Sequence, residues 1–130
     1  MSIFAKDPKR DELRRVPLFA ALPRKQFDLL VRAADIVEFP AGRDVIREGD
    51  NGHEFFAIAD GEVAISKRGR PIATESTGDV FGEIALLRGI PRTATVTTTA
   101  PTRAFVLTAQ AFRSILAPSF AGAPLPPDVR

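Results

Sequence analysis

Apolar residues recur at helical spacing in the first quarter of the chain. Residues 11–16 predict a short helix with Asp11 as its N-cap. Pro23 then suits the first position of a second helix, where a backbone N–H has no intrahelical partner. The apolar side chains of this second helix fall on one face, which predicts that this face is buried. They are Phe27, Leu30, Val31 and Ala34.

From Asp35 onward the period changes to that of β-strands. Short runs of β-branched and aromatic residues alternate with turn clusters, a pattern typical of a sandwich or barrel. The pair Asp60-Gly61 is the strongest hairpin signal, and the basic residues 67–70 predict a further turn. Between these turns, residues 62–66 alternate between polar and apolar, as a half-buried strand does. The other predicted strands are residues 36–39, 45–46, 55–59, 71–77, 95–99 and 103–108.

Helical spacing returns over residues 109–117, and Pro118 predicts the end of that helix. We therefore predict an α+β fold: an antiparallel β-roll, of the double-stranded β-helix or jelly-roll kind, flanked by N-terminal helices and one C-terminal helix. The predicted domain covers residues 1–117, with the N-terminal helices in 7–34, the roll in 35–108 and the last helix in 109–117. Residues 118–130 are proline-rich and predicted to be a flexible tail.

Composition narrows the class of protein. The 130 residues are 45% hydrophobic and 26% charged, with no cysteine, which is typical of one globular domain without disulfides or thiolate metal sites. No apolar run approaches the roughly 20 residues of a membrane span, and no secretory signal is evident, so we expect a cytoplasmic protein. The net charge of +2 gives little support to nucleic-acid binding. Residues 1–32 carry eight basic and four acidic side chains, which predicts either a solvated face or a charge-dependent partner surface.

Residues for catalysis are scarce. His53 is the only histidine, so we do not expect a metal site built from several imidazoles, and no serine has a histidine partner in a recognisable motif. A surface position for His53 is the simpler interpretation. The sequence therefore favours a binding protein over an enzyme.

The segment of residues 81–96, FGEIALLRGIPRTATV, interrupts the strand pattern. It places Glu83 and Arg92 on either side of a Gly-Ile-Pro bend. Residues 83–87 are long enough for about one helical turn, whose free N–H groups suit an anion such as phosphate. Gly82, just before it, allows a ligand to approach the backbone closely.

Two interpretations of Glu83 and Arg92 remain open from residue types alone. The forked guanidinium of Arg92 suits phosphate oxygens, and the carboxylate of Glu83 suits a ribose hydroxyl, so together they fit a small nucleotide with one phosphate. Alternatively, the two residues form a structural ion pair at the edge of the core.

Residues 78–96, GDVFGEIALLRGIPRTATV, closely resemble the phosphate-binding cassette of cyclic nucleotide-binding domains. That family includes kinase regulatory subunits, nucleotide-gated channels and catabolite activator proteins. The pattern Phe-Gly-Glu-x-Ala-Leu followed by Pro-Arg-x-Ala-Thr-Val is complete, and the resemblance runs from about Asp11 to Leu116. Further matching segments are residues 13–19, 39–42, 46–50 and 60–63.

The resemblance implies a role for each matching residue. Gly82 and Glu83 would hold the ribose 2′-OH, and Arg92 would pair with the exocyclic phosphate. The backbone N–H groups of Ala85 and Thr93 would complete the phosphate cradle. Leu86 would pack beside the ligand, and two residues of the roll would face the base. The implied ligand-binding residues are Phe81, Gly82, Glu83, Ile84, Ala85, Leu86, Arg92, Thr93 and Ala94 in the cassette, with Val63 and Ile65 in the roll.

The resemblance implies a regulatory module that binds cyclic AMP or cyclic GMP and acts on an effector protein in trans, without another cofactor. A hydroxyl at Thr93 favours cyclic GMP in some relatives, but many bacterial relatives that look selective for cyclic AMP also carry Ser or Thr, so we expect cyclic AMP. Relatives usually close the base with a second C-terminal helix, which this sequence does not predict. Phe120, Leu125 or a partner chain, as in a homodimer, could replace it. An interaction module that ignores nucleotide is the alternative function.

Overall fold

The computed structural model describes residues 7–120, which form five α-helices, one 3-10 helix and eight β-strands. The helices are α1 (Pro8–Arg14), α2 (Pro17–Ala20), α3 (Arg24–Ala33), α4 (Glu83–Arg88) and α5 (Ala109–Ile115), followed by the 3-10 helix Ala117–Phe120. The strands are β1 (Asp35–Phe39), β2 (Asp44–Ile46), β3 (Glu54–Asp60), β4 (Glu62–Lys67), β5 (Arg70–Ser76), β6 (Val80–Phe81), β7 (Thr95–Thr98) and β8 (Thr102–Thr108).

The strands form two antiparallel four-stranded sheets. One sheet has the order β1-β8-β3-β6, and the other has the order β2-β7-β4-β5. Successive strands repeatedly change sheet, which is the topology of a β-roll. The predicted α+β architecture, with helices on both sides of the roll in sequence, is confirmed.

Two apolar cores lie on opposite faces of the first sheet. The core between the sheets contains Phe56, Phe81 and Val96 among its members. The other core packs the N-terminal helices and α5 against the roll, around Phe55 and Phe112. In β3 the consecutive residues Phe55 and Phe56 point to opposite faces, so this strand contributes a ring to each core.

The N-terminal helices differ in their bounds from the sequence prediction. Helix α1 begins at Pro8, and its cap is Asp7, whose side chain accepts hydrogen bonds from the backbone N–H groups of Lys9 and Arg10. The prediction of Asp11 as the cap was wrong, because Asp7-Pro8 already starts the helix one turn earlier. Likewise Pro23 is the N-cap of α3 rather than its first residue. The predicted apolar face of α3 is confirmed, with its residues in or against the helical core.

The predicted hairpin at Asp60-Gly61 was also wrong. Strands β3 and β4 on either side of it belong to different sheets, so this turn carries the chain from one sheet to the other. Gly61 has a φ of +132°, and a Cβ built there would lie 2.4 Å from Oγ1 of Thr102. Here the chain passes from one sheet to the other in contact with Thr102, the first residue of β8, and this contact leaves no room for a side chain at Gly61. The true hairpin is β4–β5, closed by the basic turn that the sequence predicted.

We predict that Gly61→Ala lowers the free energy of unfolding by about 3 kcal/mol, because it combines a positive φ with an overlap against Thr102. Gly42 provides a matched control: its φ is +81°, but a Cβ there would meet nothing within 4 Å. Gly42→Ala should therefore cost only the conformational strain, about 1 kcal/mol. Urea denaturation of both variants measures the difference, and equal losses would show that the sheet crossing does not need a glycine.

At the C-terminal end, α5 stops at Ile115, two residues before the predicted end, with Leu116 as its C-cap. Pro118 then lies within the 3-10 helix rather than outside regular structure. The part of the predicted tail beyond residue 120 lies outside the described residues. Within residues 7–120, no helix is both long enough and apolar enough to cross a bilayer.

Candidate functional site

A short helix, α4, interrupts the roll between β6 and β7. Its N-cap, Gly82, adopts a left-handed conformation with φ of +95°, and Gly89 ends the helix in the same region with φ of +65°. As a glycine, Gly82 provides no side chain to cap the first-turn N–H groups, which have no acceptors within the helix itself. A larger residue at position 82 would also crowd Arg92, because a Cβ there would lie only 3.1 Å from Nη1 of Arg92.

Glu83, the first residue of α4, is buried with 7% of its surface exposed. Its Oε2 atom is inaccessible to solvent and has no hydrogen-bond partner among residues 7–120. Burial raises the pKa of Glu83 to about 7, and a hydrogen bond from its own backbone N–H and the charge of Arg92 lower it only in part. A buried acceptor without a donor costs free energy, and a hydroxyl donor from a ligand would offset that cost.

Arg92 is equally buried, with 7% exposed, and its guanidinium is held by backbone oxygens. Nη1 donates to the carbonyl of Gly82 at 2.8 Å, and Nη2 donates to the carbonyl of Glu54 at 2.5 Å. Burial lowers the pKa of Arg92, while the carboxylates of Glu54 and Glu83 raise it. Among the described residues, no salt bridge joins Arg92 to Glu83, so the structural ion pair that the sequence left open does not form.

The loop between β2 and β3 holds Arg92 from the other side, and sequence reasoning missed this contribution. The backbone N–H of Gly49 donates to the carbonyl of Arg92, and the N–H of Arg92 donates to the carbonyl of Asp50, both at 2.8 Å. A Cβ at Gly52 would lie 2.8 Å from Nε of Arg92, so Gly52 provides the space in which the guanidinium lies. The sequence showed only a turn cluster here.

A small cavity of about 110 Å³ opens beside this loop. Its lining includes Arg92, His53 and Glu54, so the guanidinium reaches space outside the core. His53 is exposed, as its surface interpretation predicted. Within residues 7–120, no group of three His, Asp or Glu side chains is placed to hold a metal ion.

Of the remaining predicted residues of the cassette, Leu86, Phe81 and Ala94 belong to the two cores. Leu86 belongs to the core that also contains Phe112 of α5, so α4 contacts both the site and the C-terminal helix. Ile84 and Ala85 are buried in α4, and Thr93 is half-buried beside Arg92. Four predicted residues share the core between the sheets: Phe81, Ala94, Val63 and Ile65.

Val63 and Ile65 have no exposed surface in this structure. They pair with Thr98 and Val96 of β7 and point into the roll. The structure therefore brings Gly82, Glu83 and Arg92 together directly, whereas contact of Val63 and Ile65 with a base stays a prediction.

Of the candidates for closing the site, Phe120 lies against Phe112, with ring centroids 5.8 Å apart, on the helical core. It covers α5 rather than the core between the sheets. Leu125 lies outside the described residues.

The geometry defines the chemistry of a ligand. A buried carboxylate oxygen without a donor suits a hydroxyl group, and a guanidinium with a nearby uncapped helix N-terminus suits an anion. Both features meet at Gly82, so one small molecule that carries a hydroxyl and a phosphate could contact them together.

Comparison with known proteins gives concordant matches. The sequence model for the cyclic nucleotide-binding domain matches residues 36–119. The cAMP-dependent protein kinase regulatory subunit of Neurospora crassa is 37% identical over 108 residues, which are 82% of this chain and 28% of that protein. The cGMP-dependent protein kinase of Toxoplasma gondii is 41% identical over 88 residues, 68% of this chain and 9% of that protein.

Among solved structures, the regulatory domain of Toxoplasma gondii PKA in a co-crystal with cAMP superimposes with a TM-score of 0.80 and 31% identity. The match covers 90% of this chain and 48% of that one. The chain thus spans about half of this structural relative, and about a quarter of the Neurospora protein.

Proposed function

The chain belongs to the cyclic nucleotide-binding domain family, and from this premise we propose that it binds cyclic AMP as a regulatory module acting on an effector protein in trans. The family assignment makes it a non-catalytic domain that resembles those of kinase regulatory subunits. The observation that carries the proposal is the buried Oε2 of Glu83, an acceptor without a donor, on the same short helix whose N-cap carbonyl holds Arg92.

In the proposed complex, the ribose 2′-OH donates to the carboxylate of Glu83 and gives its buried oxygen a partner. Arg92 turns its guanidinium from the carbonyls of Gly82 and Glu54 toward the cyclic phosphate, exchanging neutral acceptors for a charged one. The N–H groups of Ala85 and Thr93 complete the contacts to the phosphate. Leu86, packed with Phe112, connects occupancy of the site to α5.

Cyclic AMP is proposed over cyclic GMP because relatives across most of the chain are named cAMP-dependent regulatory subunits, and a structural relative was crystallised with cAMP. The cGMP-dependent kinase is similar over a shorter segment. The hydroxyl of Thr93 favours cyclic GMP in some relatives, so we expect only a moderate preference for cyclic AMP over cyclic GMP.

Calorimetric titration of the purified chain with cAMP, cGMP and linear 5′-AMP tests the proposal. We expect saturable heat with both cyclic nucleotides, tighter binding of cAMP, and much weaker binding of 5′-AMP, whose phosphate carries an additional charge and is bonded to the ribose only through the 5′-oxygen. Absence of heat with either cyclic nucleotide at millimolar concentration would reject the proposal.

Gly52→Ala should weaken cAMP binding by about tenfold, or about 1.4 kcal/mol, because its Cβ would displace Nε and Cδ of Arg92, the atoms about which the guanidinium turns toward the phosphate. Its backbone φ does not require glycine, in contrast to Gly49, so the cost in stability should be smaller than the cost in affinity. Calorimetry together with urea denaturation separates the two effects. An unchanged affinity would remove Gly52 from the site.

The alternative, an interaction module that ignores nucleotide, is favoured by two observations. The guanidinium of Arg92 is already bound to two carbonyls, and the roll residues predicted to face the base are fully buried. A pull-down in which the set of captured proteins does not change on addition of cAMP would support this alternative over the first proposal.

A further inference from the structure

A groove on the N-terminal helices lies outside the cassette. It encloses about 440 Å³ and is lined by Arg10, Arg14, Leu22, Arg24 and Phe27. The ring of Phe27, which is 3% exposed, lies beneath two guanidinium groups, with Cζ of Arg10 at 5.0 Å and Cζ of Arg14 at 4.5 Å from its centroid. Such stacking restrains two long side chains that would otherwise be mobile, so part of the entropic cost of binding is already met.

The groove carries an excess of positive charge. Arg10 forms a salt bridge with Asp28, whereas neither Arg14 nor Arg24 has a salt-bridge partner within residues 7–120. The pKa of Asp28 is lowered, first by the hydrogen bond from Arg10 and also by the charges of Arg24 and Arg32. One carboxylate is thus surrounded by several cations, and exposed guanidinium groups remain available to carboxylates of another molecule.

Two acidic side chains at α1 make hydrogen bonds within the fold, whereas Asp11 is exposed in the first turn of this helix. Asp7 caps the helix, and Glu12 accepts hydrogen bonds from Arg103 of β8, which ties α1 to the roll. The groove lies between α1 and α3, and α1 is held to α3 by the salt bridge of Arg10 with Asp28 and to the roll by the bonds of Glu12 with Arg103. The groove is not a set of unrestrained surface residues.

We propose that this groove docks an acidic segment of a partner protein, with carboxylates on Arg14 and Arg24 and an aliphatic side chain on Leu22. The whole chain carries a net charge of only +2, which gives little support to nucleic acid or an anionic membrane as the occupant. Because the groove lies outside the cassette, docking does not depend on bound nucleotide, and the proposal stands separately from the proposed function.

The test uses the full chain and a fluorescent heptapeptide of aspartate and glutamate with one central leucine. Fluorescence anisotropy should show saturable binding that weakens by about tenfold in Arg14→Ala/Arg24→Ala, as expected for two exposed ion pairs lost together. Replacing the peptide's leucine by serine should also weaken binding. Raising the salt concentration from about 50 to about 300 mM should weaken binding to the native chain more than to the double variant.

Arg68→Ala/Arg70→Ala provides a matched control, since these two exposed arginines lie at the β4–β5 turn. This variant should retain the affinity of the native chain within about twofold. An equal loss of peptide affinity in both double variants would show that the peptide binds through general charge attraction, and this result would overturn the proposal. Tighter binding to phosphatidylserine vesicles or to an RNA oligonucleotide than to the peptide would also overturn it. Circular dichroism checks that the variants fold, and an unchanged cAMP isotherm for Arg14→Ala/Arg24→Ala separates this surface from the cassette.

Discussion

Replacing Arg92 by alanine should abolish most of the affinity for cAMP. In the proposed complex two N–H groups of the guanidinium contact the charged phosphate, and each such bond contributes about 1.5–3 kcal/mol, so the loss should reach about 100-fold to 1,000-fold or more. Arg92→Lys keeps the positive charge but not the paired N–H donors of the guanidinium, so we expect an intermediate loss of cAMP affinity of about tenfold. Isothermal calorimetry measures both.

Arg92→Ala also removes the two hydrogen bonds to Gly82 and Glu54, so it should lower the free energy of unfolding by about 2 kcal/mol. Circular dichroism and urea denaturation without nucleotide must therefore show that the variant is folded at the temperature of the titration. Arg88→Ala is the matched control, because Arg88 is exposed and lies in the last turn of the same helix. Native affinity in Arg92→Ala, with folding verified, would remove Arg92 from the phosphate site.

Glu83→Gln should have opposite effects on stability and on binding. Because burial raises the pKa of Glu83 to about 7 from its usual 4.5, the folded protein holds a proton that the unfolded chain releases. The stability contributed by this protonated group is fully present below about pH 4.5 and is lost as pH rises through 7. Glutamine mimics the neutral form, so the substitution should raise the free energy of unfolding by about 3 kcal/mol at pH 8 and by about 1 kcal/mol at pH 5.

The matched control for this stability change is Glu38→Gln, whose side chain is 74% exposed and pairs with Arg103 at 3.4 Å. It should change the free energy of unfolding by less than about 1 kcal/mol at either pH. Urea denaturation at both pH values provides the comparison. Destabilisation of the protein by Glu83→Gln at pH 8 would contradict the prediction, because it would show that burying the ionised carboxylate of Glu83 does not lower the free energy of unfolding.

Glu83→Gln should at the same time weaken cAMP binding by about 10-fold to 100-fold at pH 8, since a charge-assisted bond from the 2′-OH is replaced by a neutral one. The native chain must ionise Glu83 to form that bond. Its affinity should therefore fall by up to about tenfold for each pH unit below 7, while the affinity of the variant stays flat. Titration with 2′-deoxy-cAMP is the control: it should bind the native chain and the variant equally well.

The parts of the fold that follow local rules could be predicted from the sequence. The apolar face of α3, the β4–β5 turn and the helix at Glu83 depend on periodicity and turn chemistry within a few residues. Asp60-Gly61 was misassigned because a local turn signal cannot show that β3 pairs with β6 and β8, both far along the chain.

The site could be predicted only in part, for a similar reason. The order of Gly82, Glu83 and Arg92 was readable as a motif. The need for Gly52 was not, because it arises from where the guanidinium of Arg92 lies in three dimensions. Residue types also could not decide between an ion pair and a ligand site. The outcome depends on whether the guanidinium of Arg92 bonds to backbone carbonyl oxygens or to the carboxylate of Glu83.

The central claim, that the cassette holds a cyclic nucleotide, is tested most directly by NMR titration of the ¹⁵N-labelled chain with cAMP. The account predicts saturable shifts concentrated at the amides of Gly82, Glu83, Ala85 and Thr93 and at the side-chain Nε–H of Arg92. Smaller shifts should appear in α5, which packs on α4 through Leu86. Shifts confined to the N-terminal helices, or none at millimolar cAMP, would contradict it.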